Sequence, residues 1–81
     1  MRLGERLKAA REKKGWSQRE LARQANVRYA TISELERGIR TAMNTDTAKK
    51  IARSLGVSVD YLISTFEEDE EEGAAALALA N

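Results

Sequence analysis

Apolar residues recur through positions 1–66 at the spacing of short amphipathic helices, with capping and breaking residues between them. Leu3, Leu7 and Ala10 mark one side of a first helix over residues 2–14, with Arg2, Arg6 and Lys13 among the charges elsewhere. Lys13 and Lys14 suit the negative end of the helix dipole and Gly15 ends the helix, while Gly4 weakens its first turn. A second helix begins at Ser17, which forms a capping box with Glu20, and carries Leu21, Ala22 and Ala25 on its apolar stripe. Asn26 stops it, because Asn enters the left-handed conformation more cheaply than most residues. Val27, Ile32 and Leu35 resume the stripe on a third helix that begins near Arg28 and closes at Gly38. Trp16 sits in the link before the second helix as a core plug.

Residues 39–44 form a loop from which Met43 drops inward while Arg40 and Thr41 stay outside. A fourth helix follows a cap at Asn44 or Thr45, with Ala48, Ile51, Ala52 and Leu55 inward, Lys49, Lys50 and Arg53 outward, and Gly56 at its end. A fifth starts from Ser58, has Val57 stapled onto Leu62, and runs to about Phe66. None of these helices is long enough to be stable alone in water, so they must pack together. The expected fold is all-α, a compact five-helix domain over residues 1–66. Residues 67–81 are a separate segment: six consecutive acids that cannot build a core, then an Ala/Leu-rich ending. They are expected to be a flexible, disordered tail.

Composition narrows the chemistry. The chain has 81 residues and no histidine, cysteine or proline. Disulfides, thiolate metal sites and the usual general base are therefore excluded, no metal or other cofactor is expected, and an enzyme is not the reading. No signal-peptide pattern or membrane-length apolar run is present, which leads to the expectation of a soluble intracellular protein without a membrane partner. The net charge of +1 conceals a division. All fourteen Lys and Arg lie between Arg2 and Arg53, against seven acids in residues 1–66, so that part carries +7. A compact domain with that excess attracts polyanions, nucleic acid first.

The stretch from Gln18 to Arg37 resembles the helix-turn-helix of the phage repressor and Cro-like (XRE) family of DNA-binding proteins. Leu21, the small Ala22, Asn26 at the turn, Val27, Ile32 and Leu35 carry the likeness, with Glu36-Arg37-Gly38 as the ending. The run from Leu55 to Leu62 is similar to the family's last helix boundary. Asn26 departs mildly from the glycine often found at that turn. The resemblance covers residues 1–66 and implies a lambda-repressor-like DNA-binding domain.

It also implies roles for particular residues. The outward face of the third helix is Arg28, Tyr29, Ala30, Ser33, Glu34 and Arg37. Tyr29, Ala30 and Glu34 match the family's base-reading positions, with Arg28 and Ser33 as helping neighbours. Arg28 suits guanine, Ala30 a thymine methyl and Glu34 cytosine N4. Gln18 matches a position that binds backbone phosphate, and Arg37, Arg40 and Thr41 are further clamps on the same backbone. Arg19 and Arg23, on the exposed face of the second helix, are read as solubilising. Arg11 and Glu36 correspond to an internal ion pair, which makes them structural. Val59, Leu62, Ile63 and Phe66 are the candidates for a dimer face.

The function expected from the resemblance is a sequence-specific regulator of transcription binding double-stranded DNA, more a repressor than an activator. It would act as a homodimer on a two-fold symmetric operator, in the cytoplasm of a bacterium or in a phage-infected cell, at the nucleoid. No separate ligand-sensing or protease-like domain is read in the chain. The rival expectation is an antitoxin or protein-interaction adapter that binds a partner protein and combines this with DNA binding.

Overall fold

The apolar stripes close on one another as five helices in the computed structural model, which describes residues 2–63. They are α1 (Leu3–Lys13), α2 (Gln18–Ala25), α3 (Tyr29–Arg37), α4 (Thr45–Leu55) and α5 (Val59–Ile63), with no strand among the described residues. α1 packs on α3 and α5, α2 on α3 and α4, and α4 on α5, so the contacts run around a closed ring. At its centre Leu7, Leu21, Ile32, Leu35, Ile51 and Leu62 are fully buried. Each such side chain contributes roughly 1.5–3 kcal/mol of transfer free energy, more than any cap or exposed ion pair. Trp16, Val27, Met43, Val57 and Val59 are half-buried against this cluster, so the link tryptophan and the loop methionine both go inward.

Helix ends follow their capping chemistry, with one substitution of partners. Ser17 Oγ accepts the Glu20 N–H at 3.0 Å, the first half of a capping box. The Glu20 carboxylate does not return the bond to Ser17; it takes Arg23 and Gln24 on its own helix instead. Those two bonds, Arg23 first, hold the Glu20 carboxyl below its ordinary pKa. Asn26 adopts φ 58°, ψ 48°, and the Val27 N–H then reaches the Ala22 carbonyl at 3.0 Å. Of the two candidate caps for α4 it is Asn44 that acts, accepting the Thr47 N–H at 2.8 Å. Ser58 Oγ does the same for Tyr61 at 3.0 Å.

Gly4 is a helical glycine with a packing reason. A Cβ built there would overlap the Leu35 carbonyl oxygen and crowd Glu36, so its absence lets α1 lie directly on the backbone of α3.

Two further sequence expectations are corrected. Arg6, placed among the outward charges, is buried at 2% exposure, its guanidinium carbon 5.8 Å from the Tyr61 ring centroid. Position 6 borders the Leu3–Leu7 stripe on the side where α5 docks, and an arginine stem can lie there beneath an aromatic ring. Leu62, a candidate for the dimer face, has no exposed surface and belongs to the core of the single chain. Helix α5 has five described residues, and Leu62 is the only one of them fully inside, so the side chain that closes the ring is not available to a second copy. Val59 is half-buried against the same core, and Ile63 is 45% exposed. Phe66, the continuation of the fifth helix to it, and the acidic segment lie outside the described residues.

Candidate nucleic-acid interface

Residues 26–28 join α2 to α3, and the left-handed Asn26 makes the reversal possible in so few residues. Ala22 and Ala25 of α2 and Ile32 and Leu35 of α3 face the core, which turns the other side of α3 outward. Arg28 caps α3 with extended backbone, φ −72° and ψ 142°. Its side chain is exposed, as are those of Tyr29, Ala30 and Arg37; Ser33 and Glu34 are half-buried on the same face. Thr41 is exposed in the loop beyond. Arg28, Arg40 and Lys50 line a cleft of about 540 Å³ between the start of α3 and the start of α4, with Asn26, Thr31 and Asn44 among its walls.

Arg11 and Glu36 form a two-pronged pair. Arg11 Nε donates to Glu36 Oε2 at 2.7 Å and Nη2 to Oε1 at 3.0 Å, while Nη1 reaches the Trp16 carbonyl at 2.7 Å. The Glu36 side chain is 4% exposed. The hydrogen bond to Glu36 is the main cause that raises the Arg11 pKa above its ordinary value, against the opposing effect of burial. Gln18, expected on phosphate, joins this network: its Nε2 donates to Glu36 Oε1 at 2.9 Å. One amide hydrogen of Gln18 is therefore directed inward, and its position at the first turn of α2 is fixed by the end of α3.

Two further contacts organise the outward face. The Arg19 guanidinium lies over the Tyr29 ring, 4.2 Å from its centroid, joining the first turns of α2 and α3. Arg40 Nη2 donates to Glu34 Oε1 at 2.8 Å, so a candidate phosphate clamp and a candidate base reader hold each other. Lys50 has Asp46 within 3.5 Å one turn earlier on α4.

A family model described as helix-turn-helix matches residues 7–62, which spans most of the ring of helices and all of α2 and α3. The chain belongs to the XRE-type helix-turn-helix family. Among its relatives is the HTH-type transcriptional regulator ImmR of Bacillus subtilis, 42% identical over 67 residues, covering 83% of this chain and 52% of that protein. SinR of Bacillus licheniformis, also an HTH-type transcriptional regulator, is 35% identical over 71 residues, 88% of this chain and 64% of the relative. The regulator DdrOP3 of Deinococcus deserti is 32% identical over 83 aligned positions that cover 100% of this chain and 64% of the relative. The chain thus spans about half to two-thirds of the length of the curated relatives it matches. No solved structure gives a significant match. No described helix is long and apolar enough to cross a membrane.

The contact of Arg19 with Tyr29 is not legible in the sequence. The sequence places Arg19 on the outer face of α2, and it is exposed there. What periodicity cannot give is the neighbour across the turn, since the distance from position 19 to position 29 depends on the reversal at Asn26. The available signal was an arginine and a tyrosine at the first turns of two helices joined by a three-residue turn.

Proposed function

We propose that this protein regulates transcription by binding double-stranded DNA sequence-specifically, as a homodimeric repressor on a two-fold symmetric operator. The observation that carries the reading is the outward face of α3, where Arg28, Tyr29 and Ala30 stand at the N-terminal end of the second helix of a helix-turn-helix and Glu34 follows one turn later. The names of the relatives support transcription regulation. In this motif the first turns of the second helix meet base edges in the major groove. Arg28 donates to guanine O6 and N7, Tyr29 and Ala30 contact the next base pairs, Ser33 assists, and Glu34 accepts from an exocyclic amine. The second N–H of Gln18, together with Arg37 and Thr41, binds the phosphates on either side, which sets register without reading sequence. The net +7 of the described residues supplies the non-specific part of the affinity. Dimerisation uses Val59, Ile63 and the chain beyond them, with half-sites about one helical turn apart.

Selecting duplexes from a random pool and footprinting them tests the reading. A palindromic site should emerge, with log K falling against log salt at about −0.9 per phosphate contacted. Equal affinity for selected and random duplexes, or a flat salt dependence, overturns it.

A further inference from the structure

Glu34 carries a negative charge on a face that must approach phosphates. It stands one turn after Ala30 on α3, half-buried, and Arg40 holds it. Nε and Nη2 of Arg40 both donate to Oε1, at 3.1 and 2.8 Å. The backbone sets up the same meeting. Gly38 turns the chain with φ 81°, and the N–H groups of Ile39 and Arg40 both donate to the Glu34 carbonyl, at 3.0 and 3.1 Å. Arg40 is thus tied to Glu34 by its main chain before its side chain closes. Among the described residues nothing donates to Glu34 Oε2.

We propose that Arg40 is a specificity-determining residue that acts through Glu34, neutralising and orienting the carboxylate so that Oε2 accepts from the exocyclic amine of a base in the major groove. The proposal rests on the DNA reading of α3 given above. An unpaired carboxylate in the groove would meet the negative field of both phosphate strands and would be free to turn among rotamers. The pair with Arg40 carries no net charge, keeps one carboxylate oxygen fixed, and presents the other. A carboxylate only accepts hydrogen bonds, so it selects cytosine N4 or adenine N6 and rejects guanine O6, guanine N7 and thymine O4, which are acceptors themselves. An arginine in ordinary contact with phosphate would instead strengthen every sequence alike.

The two roles separate in one experiment on the full chain. Affinities are measured for the selected duplex and for all single base-pair changes in its half-site, with wild type, Arg40→Ala, Arg40→Lys, Glu34→Ala and the Glu34→Ala/Arg40→Ala double variant. One base pair bearing cytosine or adenine should lose its preference about tenfold in Glu34→Ala, in line with a single good base contact. Arg40→Ala should lose the same preference at the same base pair, and adding it to Glu34→Ala should change that preference no further. Arg40→Lys keeps the charge without the two-pronged donor, so it should retain the salt slope and still lose the preference. The proposal is overturned if Arg40→Ala weakens every duplex by one common factor, or if Arg40→Lys keeps the wild-type preference. A wild-type chain without preference among duplexes overturns the DNA reading and this inference with it. A preference indifferent to Arg40 overturns this inference alone.

Discussion

Arg11 and Glu36 meet across 25 residues of chain, with two arginine nitrogens on two carboxylate oxygens at 2.7 and 3.0 Å. The pair fastens the last turn of α3 to α1, and through Gln18 and the Trp16 carbonyl it also takes in the start of α2. Every helix that sets the orientation of α3 is represented. A count of charges would give Arg11 to DNA; the geometry uses it inside the fold.

Arg11→Ala should therefore destabilise the domain rather than merely loosen DNA. Removing one member of a buried, hydrogen-bonded pair costs on the order of 3–5 kcal/mol, and the low end applies because the Arg11 side chain keeps 11% of its surface exposed. Its raised pKa means that this stability is fully present below the ordinary arginine pKa and is lost only as pH rises through the folded value. Urea midpoints at pH 6 and pH 9 should fall by the same amount in the variant. An unchanged midpoint would return Arg11 to the surface.

Gly4→Ala sets two effects against each other. Alanine gains up to about 1 kcal/mol over glycine from helix propensity, and less in a first turn such as that of Gly4. Here the added methyl would overlap the Leu35 carbonyl, which is backbone and cannot swing aside as a side chain can. Overpacking of that kind costs roughly 1–3 kcal/mol, so the net should be destabilising. A thermal midpoint that rises in Gly4→Ala would show that α1 and α3 separate easily.

The helices and their ends were legible in the sequence because each depends on neighbours within a turn or two. Ser17, Asn26, Gly38, Asn44 and Ser58 all act where local capping rules place them. The same rules failed for the Glu20 half of the capping box, where Arg23 and Gln24, equally local, compete better for one carboxylate. Arg6, Leu62 and Gly4 depart from what their own helices suggest for a different reason. Each faces an element far away in sequence, and a helix stripe read by itself does not say how wide its partner is. On the outward face the positions from Arg28 to Glu34 could be read from periodicity and resemblance, but the partners Arg19 and Arg40 could not, since both reach α3 across turns.

Asn26 offers a clean measure of backbone strain. At φ 58° a residue with a Cβ pays roughly 1–2 kcal/mol relative to the right-handed region, less for Asn than for most. Asn26→Gly should raise stability by about 0.5–1 kcal/mol, and Asn26→Ala should lower it by about 1 kcal/mol. Both substitutions lie on an exposed side chain, so denaturant midpoints report the turn itself. A stabilising Asn26→Ala would mean that the turn does not need the left-handed conformation.

The stack of Arg19 on Tyr29 predicts coupling between two residues that belong to different helices. A guanidinium 4.2 Å from a ring centroid at an exposed site is worth about 0.5–1 kcal/mol, and it holds the Tyr29 ring in one orientation at the start of α3. On selected DNA, Arg19→Ala and Tyr29→Ala should each lower affinity, and the double variant should lose less than their sum by about that amount. Tyr29→Phe keeps the ring and should keep the coupling. Arg23 supplies the control: it lies on the same helix and is also exposed, but its guanidinium pairs with Glu20. Arg23→Ala combined with Tyr29→Ala should be additive. Additivity for Arg19 as well would mean that its positive charge acts on DNA directly and that the ring beneath it has no part in placing Tyr29.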